Sequence, residues 1–183
     1  MKAIDLFAGA GGFTEGARMA GVEVAWAANH WPMAVAFHGR NHPGTEHSCQ
    51  DLQQADWREV PDHDVLLASP ACQGHSLARG KERPHHDALR STAWAVVACA
   101  EYHRSRVVVE NVPEFRNWIL YSSWLGAMYQ LGYAMAPHLS MQLITVFRNT
   151  ESACSWSAPS PSIRWSWTCQ SERWGPDEDA STT

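Results

Sequence analysis

A surplus of basic residues is missing from this chain. Lys and Arg total 14 against 19 Asp and Glu, for a formal net charge of -5, and the pI is near 6.0. Nucleic acid is bound largely by charge neutralisation, so overall charge supplies no footprint for it and any role on DNA or RNA has to rest on motifs. Cysteine pairs at metal or redox spacing are also missing. Cys49, Cys72, Cys99, Cys154 and Cys169 are odd in number and contain no CxxC, and "MKAIDLFAGAGG" lacks the apolar core of a signal peptide. These absences exclude a disulfide-stapled secreted scaffold and point to a reduced, cytoplasmic setting. No apolar run approaches the roughly 20 residues that cross a bilayer, and no repeat with a period of about 20 to 50 residues is present, so membrane and solenoid classes drop out. What remains is one ordinary domain's worth of chain, 183 residues of which 45% are apolar, enough to bury a core.

Apolar runs alternate with helical patterns. "AIDLF" reads as a buried strand, "GGFTEGARMA" as a helix ended by Gly21, "VEVAWA" as a strand and "PMAVAFHGRN" as a helix. After a looser stretch, "DVLLAS" is a strand, 70 to 86 a polar loop, "DALRSTAWAVVACAEYHR" a helix, "RVVVEN" a strand, "EFRNWILYSSWLGAMYQLG" a helix closed near Gly132, and "YAMAPHL" a strand. Continuously apolar strands separated by helices predict an α/β, Rossmann-like, doubly wound parallel sheet covered on both faces. Ligands in such sheets gather at the carboxyl ends of the strands, which singles out the loops after "IDLF", "DVLLAS" and "RVVVEN".

"DLFAGAGGF" places Gly9, Gly11 and Gly12 in a strand-to-helix turn, where backbone N–H groups and a helix N-terminus can approach a ligand. The turn would suit a dinucleotide, S-adenosylmethionine or simply a tight bend. "SPACQGHS" carries Cys72 after a strand; a free cysteine is often only a small buried hydrophobe, but this position faces the ligand crevice. "VVVENVPEF" ends a strand on Glu110 and Asn111, an arrangement open to a capping reading as well as to one in which Glu110 faces the crevice ahead of a helix starting near Pro113. His85 and His86 are adjacent and point apart, while His42, His47 and Cys49 have no recognised metal spacing, so these histidines read as solvated or loop residues and no metal is expected.

Taken in this order, "DLFAGAGGF", "SPACQGHS" and "ENVPEF" resemble the cytosine carbon-5 DNA methyltransferase family over residues 3 to about 139. The resemblance implies an S-adenosylmethionine site made by Phe7, Ala8, Gly9, Ala10, Gly11 and Gly12, with Trp31 stacking near the adenine, Asp51 accepting from the adenine amino group, and His30, Leu52 and Ala71 close by. It implies Cys72 as the nucleophile and Glu110 and Asn111 as catalytic partners. Two positions depart from the family pattern: His30 stands where an acid usually holds the ribose hydroxyls, and Ala71 stands where Pro usually precedes the nucleophile. "RGKERPHH" lies in the family's catalytic loop, where Arg79, Lys81 and Arg83 would either touch phosphate or be solvated. DNA is the implied partner, reached through a recognition domain that this chain does not carry. The alternatives are an RNA cytosine-5 methyltransferase, a non-catalytic cofactor-binding fragment, or one half of a split enzyme completed by a second polypeptide.

The stretch "MQLITVFRNTESACSWSAPSPSIRWSW" has no clear period. After a strand such as "YAMAPHL" the family continues with L-N-A-x-D-Y-G-V-P-Q-x-R-x-R. Back-translated with the first two bases of the Met141 codon left to the preceding frame, Gln142 and Leu143 permit Ala-Ala, Ile144 to Val146 permit Asp-Tyr-Gly, and Phe147 to Asn149 permit Val-Pro-Gln. Thr150 to Ala153 then permit His-Arg-Glu-Arg, and Cys154 to Trp156 are compatible with Leu-Phe-Leu. The expectation is a partial catalytic domain over 1–140 followed, after a frameshift near Leu139 to Met141, by an out-of-frame tail over 141–183 that lacks strand or helix periodicity and forms no family-like structure.

Overall fold

The computed structural model describes residues 1–71, 91–139, 143–149, 154–157 and 166–169. Cys72 and the basic segment around Lys81 lie outside the described residues. Two compact units are formed, Met1–Asn149 and Thr150–Thr183.

The first unit is built on a seven-stranded sheet. Its strands in chain order are β1 (Lys2–Leu6), β2 (Glu23–Asn29), β3 (Glu46–Cys49), β4 (Val65–Ala68), β5 (Arg106–Asn111), β6 (Tyr133–Leu139) and β7 (Leu143–Asn149). The order across the sheet is β3-β2-β1-β4-β5-β7-β6, with the first five strands parallel and β7 antiparallel to both β5 and β6. Chain direction across the sheet reverses between β1 and β4, the topological switch point at which such folds bind ligands.

Alternation along the strands sorts side chains onto two faces. Ile4, Leu6, Leu66, Ala68, Val107 and Val109 enter one core cluster, whereas Ala3, Val65 and Leu67 enter another with Val22, Val24 and the half-buried Phe13 and Ala17 of helix α1 (Gly12–Met19). Helix α2 (Pro32–Asn41) shares the α1 face through a bond between His38 and Thr14, while α3 (Trp94–His103) and α4 (Tyr121–Gln130) cover the other. Helices on both faces make the sheet doubly wound, as its apolar strands predict.

Three elements differ from the sequence expectation. The looser stretch before β4 contains β3, whose residues "EHSC" are too polar to read as a buried run and form an edge strand. The helix expected over 114–132 is broken: a 3-10 turn spans Pro113–Asn117, Trp118 is extended (φ -66, ψ 129), and α4 starts at Tyr121. The break turns Trp118 inward to stack on Phe115 at 5.8 Å, while Trp124, fully buried, meets Phe115 edge-on at 5.3 Å and donates its indole N–H to the Ala93 carbonyl at 2.9 Å. Burying that aromatic surface outweighs a few residues' worth of helical hydrogen bonds.

The third difference is β7. The stretch beyond residue 140 has no clear period in the sequence, yet Leu143–Asn149 pairs along its whole length with β6 and over five residues with β5. Its sequence "LITVFRN" is rich in β-branched and aromatic side chains, which favour a strand wherever an open sheet edge is offered. The first compact unit runs to Asn149. In the second unit, β8 (Cys154–Ser157) and β9 (Ser166–Cys169) form an antiparallel pair with Trp156 opposite Trp167.

Candidate functional site

Five adjacent parallel strands end at nearly the same level. Leu6 is in register with Ala28 of β2 and Ala68 of β4, Ala68 with Val109 of β5, and Asn29 with Cys49 of β3. Ladder-like bonds continue into the loops: Ala8 N–H donates to Ala28 O at 3.0 Å, Ser69 N–H to Leu6 O at 3.1 Å, and Gln50 N–H to Asn29 O at 3.1 Å. The sequence-predicted residues Phe7 to Gly12, His30 and Trp31, Asp51 and Leu52, Ala71, and Glu110 and Asn111 all fall on these strand ends, along one edge of the sheet.

The glycine loop is tightly specified. Phe7 adopts a left-handed conformation at φ 62 as it leaves β1 and packs against the core, and Ala8 is buried. Gly11 sits at φ 101, and a Cβ there would collide with the imidazole of His42, so both conformation and space demand glycine. Helix α1 starts after Gly11 with no side-chain cap, leaving first-turn N–H groups available to a ligand. Asn29 bridges two loops, its Nδ2 donating to Ala8 O at 3.0 Å and its Oδ1 accepting from Trp31 N–H at 2.9 Å.

Trp31 stands 58% exposed, and His30 is exposed beside it. Asp51 is exposed and begins a short 3-10 turn, accepting from Gln53 N–H at 3.0 Å and Gln54 Nε2 at 3.0 Å, while Leu52 behind it is buried. At the other end of the row, β5 fastens the loop leaving β4. Asn111, buried, donates to Pro70 O at 3.0 Å; Ala71 N–H donates to Thr92 Oγ1 at 3.3 Å; and Ser69 hydrogen-bonds the carboxyl of Glu110. Burial raises the Glu110 carboxyl above its ordinary pKa, and the Ser69 bond partly opposes this.

Beneath the glycine loop lies a buried polar chain that the sequence reading missed. His47 Nε2 is 2.8 Å from His38 Nδ1, His38 Nε2 is 3.0 Å from Thr14 Oγ1, and Thr14 Oγ1 donates to Asp5 Oδ2 at 2.7 Å. Neutral histidines that each carry the proton on Nε2 satisfy every bond in that series. Asp5 and His38 are each 1% exposed, and Asp5 Oδ1 has no partner among the described residues. Burial pushes the Asp5 carboxyl up to about 7 against the lowering effect of its Thr14 bonds, and pushes His38 down to about 4, helped by His47 and His42. The solvated-loop reading of His42 and His47 is therefore corrected: His47 hydrogen-bonds His38, and His42 Nε2 lies 3.1 Å from Gly11 O. The signal available in the sequence was His38 on the helix face of the buried Ala34, four residues apart.

Known proteins are similar to this chain in sequence and in fold. The family model of the C-5 cytosine-specific DNA methylases matches residues 1–141. Type II methyltransferase M.AgeI of Thalassovita gelatinovora is 37% identical over 84 residues, 42% of this chain and 20% of that protein. Type II methylase M.HgiEI of Herpetosiphon aurantiacus is 32% identical over 139 residues, 72% of this chain and 31% of the relative. The chain thus spans about a fifth to a third of the length of these curated relatives. Among solved structures, the S. pombe Dnmt2 methyltransferase superposes with a TM-score of 0.65 at 16% identity, covering 81% of this chain and 49% of that one, a likeness of fold. With its motif loops on the strand ends and the match running through most of its length, the chain belongs to the C-5 cytosine-specific DNA methylase family.

Proposed function

We propose that this chain is the cofactor-binding and nucleophile-bearing part of an S-adenosylmethionine-dependent DNA (cytosine-5-)-methyltransferase, of the restriction-modification or phage type, working in the cytoplasm. The observation that carries the reading is the single row formed by the glycine loop, Trp31, Asp51 and Glu110 on the level ends of five adjacent strands. The residues fit the cofactor's chemistry. Uncapped N–H groups at the start of α1 suit its carboxylate, the exposed Trp31 suits adenine, and Asp51 keeps lone pairs for an amino group beside the two bonds it already accepts. His30 replaces the usual acid with at most one neutral acceptor, which predicts a weaker hold on the ribose.

When bound, S-adenosylmethionine supplies an electrophilic methyl group on a sulfonium. Carbon 5 of cytosine is a poor nucleophile, and the family resemblance assigns Cys72 to overcome that. Its thiolate adds to carbon 6, and the electron pair displaced through the ring makes carbon 5 nucleophilic. Glu110 shares a proton with ring N3 as negative charge develops there; its raised pKa brings it closer to the range in which sharing costs little. Loss of the carbon-5 proton then expels Cys72 and restores the aromatic ring. Asn111 holds Pro70, two residues before Cys72, and so fixes where the nucleophile's loop begins.

The base has to leave the duplex first, at a cost of a few kcal/mol. A recognition region, in the alternative frame or on a complementing polypeptide, would meet that cost. We assign residues beyond about 140 to a shifted reading frame, an assignment supported by the family match ending at Met141 and by the alternative reading of 142 to 156. In the alternative frame the codons of the β7 stretch permit Ala-Asp-Tyr-Gly-Val-Pro-Gln, whose Gly and Pro are poor strand residues, so in that frame the strand is expected to move onward to Leu-Phe-Leu.

Equilibrium dialysis of the full chain with labelled S-adenosylmethionine tests the cofactor reading. About one equivalent should bind, and Trp31→Ala should weaken binding about tenfold by removing a stacking face. Failure of the parent chain to bind, or binding indifferent to Trp31, would count against it. The nucleotide sequence across codons 136 to 156 tests the frame assignment.

A further inference from the structure

The glycine loop is held from one side. Ala8 O accepts from Asn29, Ala10 O accepts from Asn41 Nδ2 at 2.6 Å, and Gly11 O accepts from Glu15 N–H at 2.8 Å and is 3.1 Å from His42 Nε2. Asn29 ends β2, and Asn41 and His42 form the last turn and cap of α2, so all three tethers lie on the side of the loop away from β4. In a planar trans peptide the carbonyl and the following N–H point in opposite directions. Tethering the carbonyls of Ala8, Ala10 and Gly11 toward β2 and α2 therefore turns the N–H groups of Gly9, Gly11 and Gly12 toward the crevice between β1 and β4.

From this geometry we infer that Asn41 and His42 are positioning residues for cofactor binding, acting through the peptide planes of the glycine loop. The inference rests on the cofactor reading above and adds two residues to it. Folding alone gives little reason for the Asn41 bond: Asn41 and Ala10 are both exposed, and a hydrogen bond between exposed groups exchanges one water contact for another. His42 also fixes Gly11 in a second way, because its imidazole fills the space a Cβ would need. The buried series from His47 through His38 to Thr14 anchors α2 to α1, so the last turn of α2 is a rigid support for the loop.

The test uses the full chain and S-adenosylhomocysteine as probe, with affinity by titration calorimetry and amide hydrogen exchange in the unliganded protein. Asn41→Ala and His42→Leu should each weaken binding about five- to tenfold. Each should quicken exchange of amides 9 to 13 while amides in α3 keep the parent rate. His42→Gln, whose Nε2 donor reaches a similar position, should recover most of the loss. Unchanged affinity and loop exchange in both variants would overturn the proposal. So would uniform quickening throughout the chain without rescue by Gln, because that marks a residue that only stabilises the fold. If the parent chain fails to bind the probe while loop exchange still responds selectively, the tether stands and the cofactor reading falls.

Discussion

Asp5 and His38 exchange the proton that either alone would carry, and their effects on stability should cancel until one is removed. The Asp5 carboxyl is raised from 3.8 to about 7, chiefly by burial. A raised folded pKa gives stability that is fully present below pH 3.8 and lost as pH climbs through about 7, with an upper limit of about 4 kcal/mol for ~3 units. His38 is lowered from 6.5 to about 4, again chiefly by burial. Its contribution is present above pH 6.5 and lost as pH falls through about 4, with a limit of about 3 kcal/mol. Between those values the folded chain holds one proton on Asp5 and the unfolded chain one on His38. The numbers bound match, and the pair adds no slope.

Substitution should expose the two halves. In His38→Gln only Asp5 titrates, so stability relative to the parent should fall with rising pH, by about 1–3 kcal/mol between about pH 4.5 and 6.5. In Asp5→Asn only His38 titrates, and the relative stability should rise by a similar amount over the same range. Each partner is already neutral there, so its replacement leaves the other's surroundings nearly unchanged. Urea unfolding of the parent and both variants at a series of pH values reads the differences directly, and other titrating groups drop out of the comparison. Variant curves parallel to the parent's, or both tilting the same way, would refute the proton exchange.

Gly11→Ala should destabilise by about 2–5 kcal/mol, the sum of left-handed strain and overlap with the His42 ring; an unfolding midpoint equal to the parent's would contradict the loop geometry. Asn111→Ala should cost about 1–3 kcal/mol by stripping the Pro70 carbonyl of its buried donor, and should quicken amide exchange at residues 69 and 71 more than in β2. Glu110→Gln should grow more stable relative to the parent as pH rises above the ordinary carboxylate range. A raised acid loses its contribution on ionising, and the amide cannot ionise, so a pH-independent difference would argue that Glu110 is not desolvated.

The parallel strands and their loops were legible because they combine two independent signals, continuous apolar runs and turn residues at fixed offsets, as in "DLFAGAGG". Edge and interior polar features were not. β3 reads "EHSC" and is defined by a neighbouring strand rather than by its own hydrophobicity. The break at Trp118 follows from aromatic packing against Phe115, a contact between a turn and a helix that no period reports. β7 shows the opposite limit: "LITVFRN" has local strand propensity, but no turn residues at fixed offsets mark it off from the aperiodic stretch that follows. At the glycine loop, Gly11 takes the left-handed conformation that a strand-to-helix turn of this motif calls for. The residues that hold the loop, Asn41 and His42, lie about 30 positions away and become visible only once α2 is packed against it.

The proposed function has Cys72 add to carbon 6 of cytosine beside a bound methyl donor. The most direct measurement restores the alternative frame after Leu139, includes the natural downstream sequence, and incubates the protein with S-adenosylmethionine and DNA containing 5-fluorocytosine. Fluorine cannot leave carbon 5 as a proton does, so a covalent protein–DNA complex should accumulate through Cys72, and Cys72→Ser should abolish it because a hydroxyl offers almost no anion at neutral pH. A restored protein that methylates cytosine at the parent rate with serine at position 72 would contradict the account.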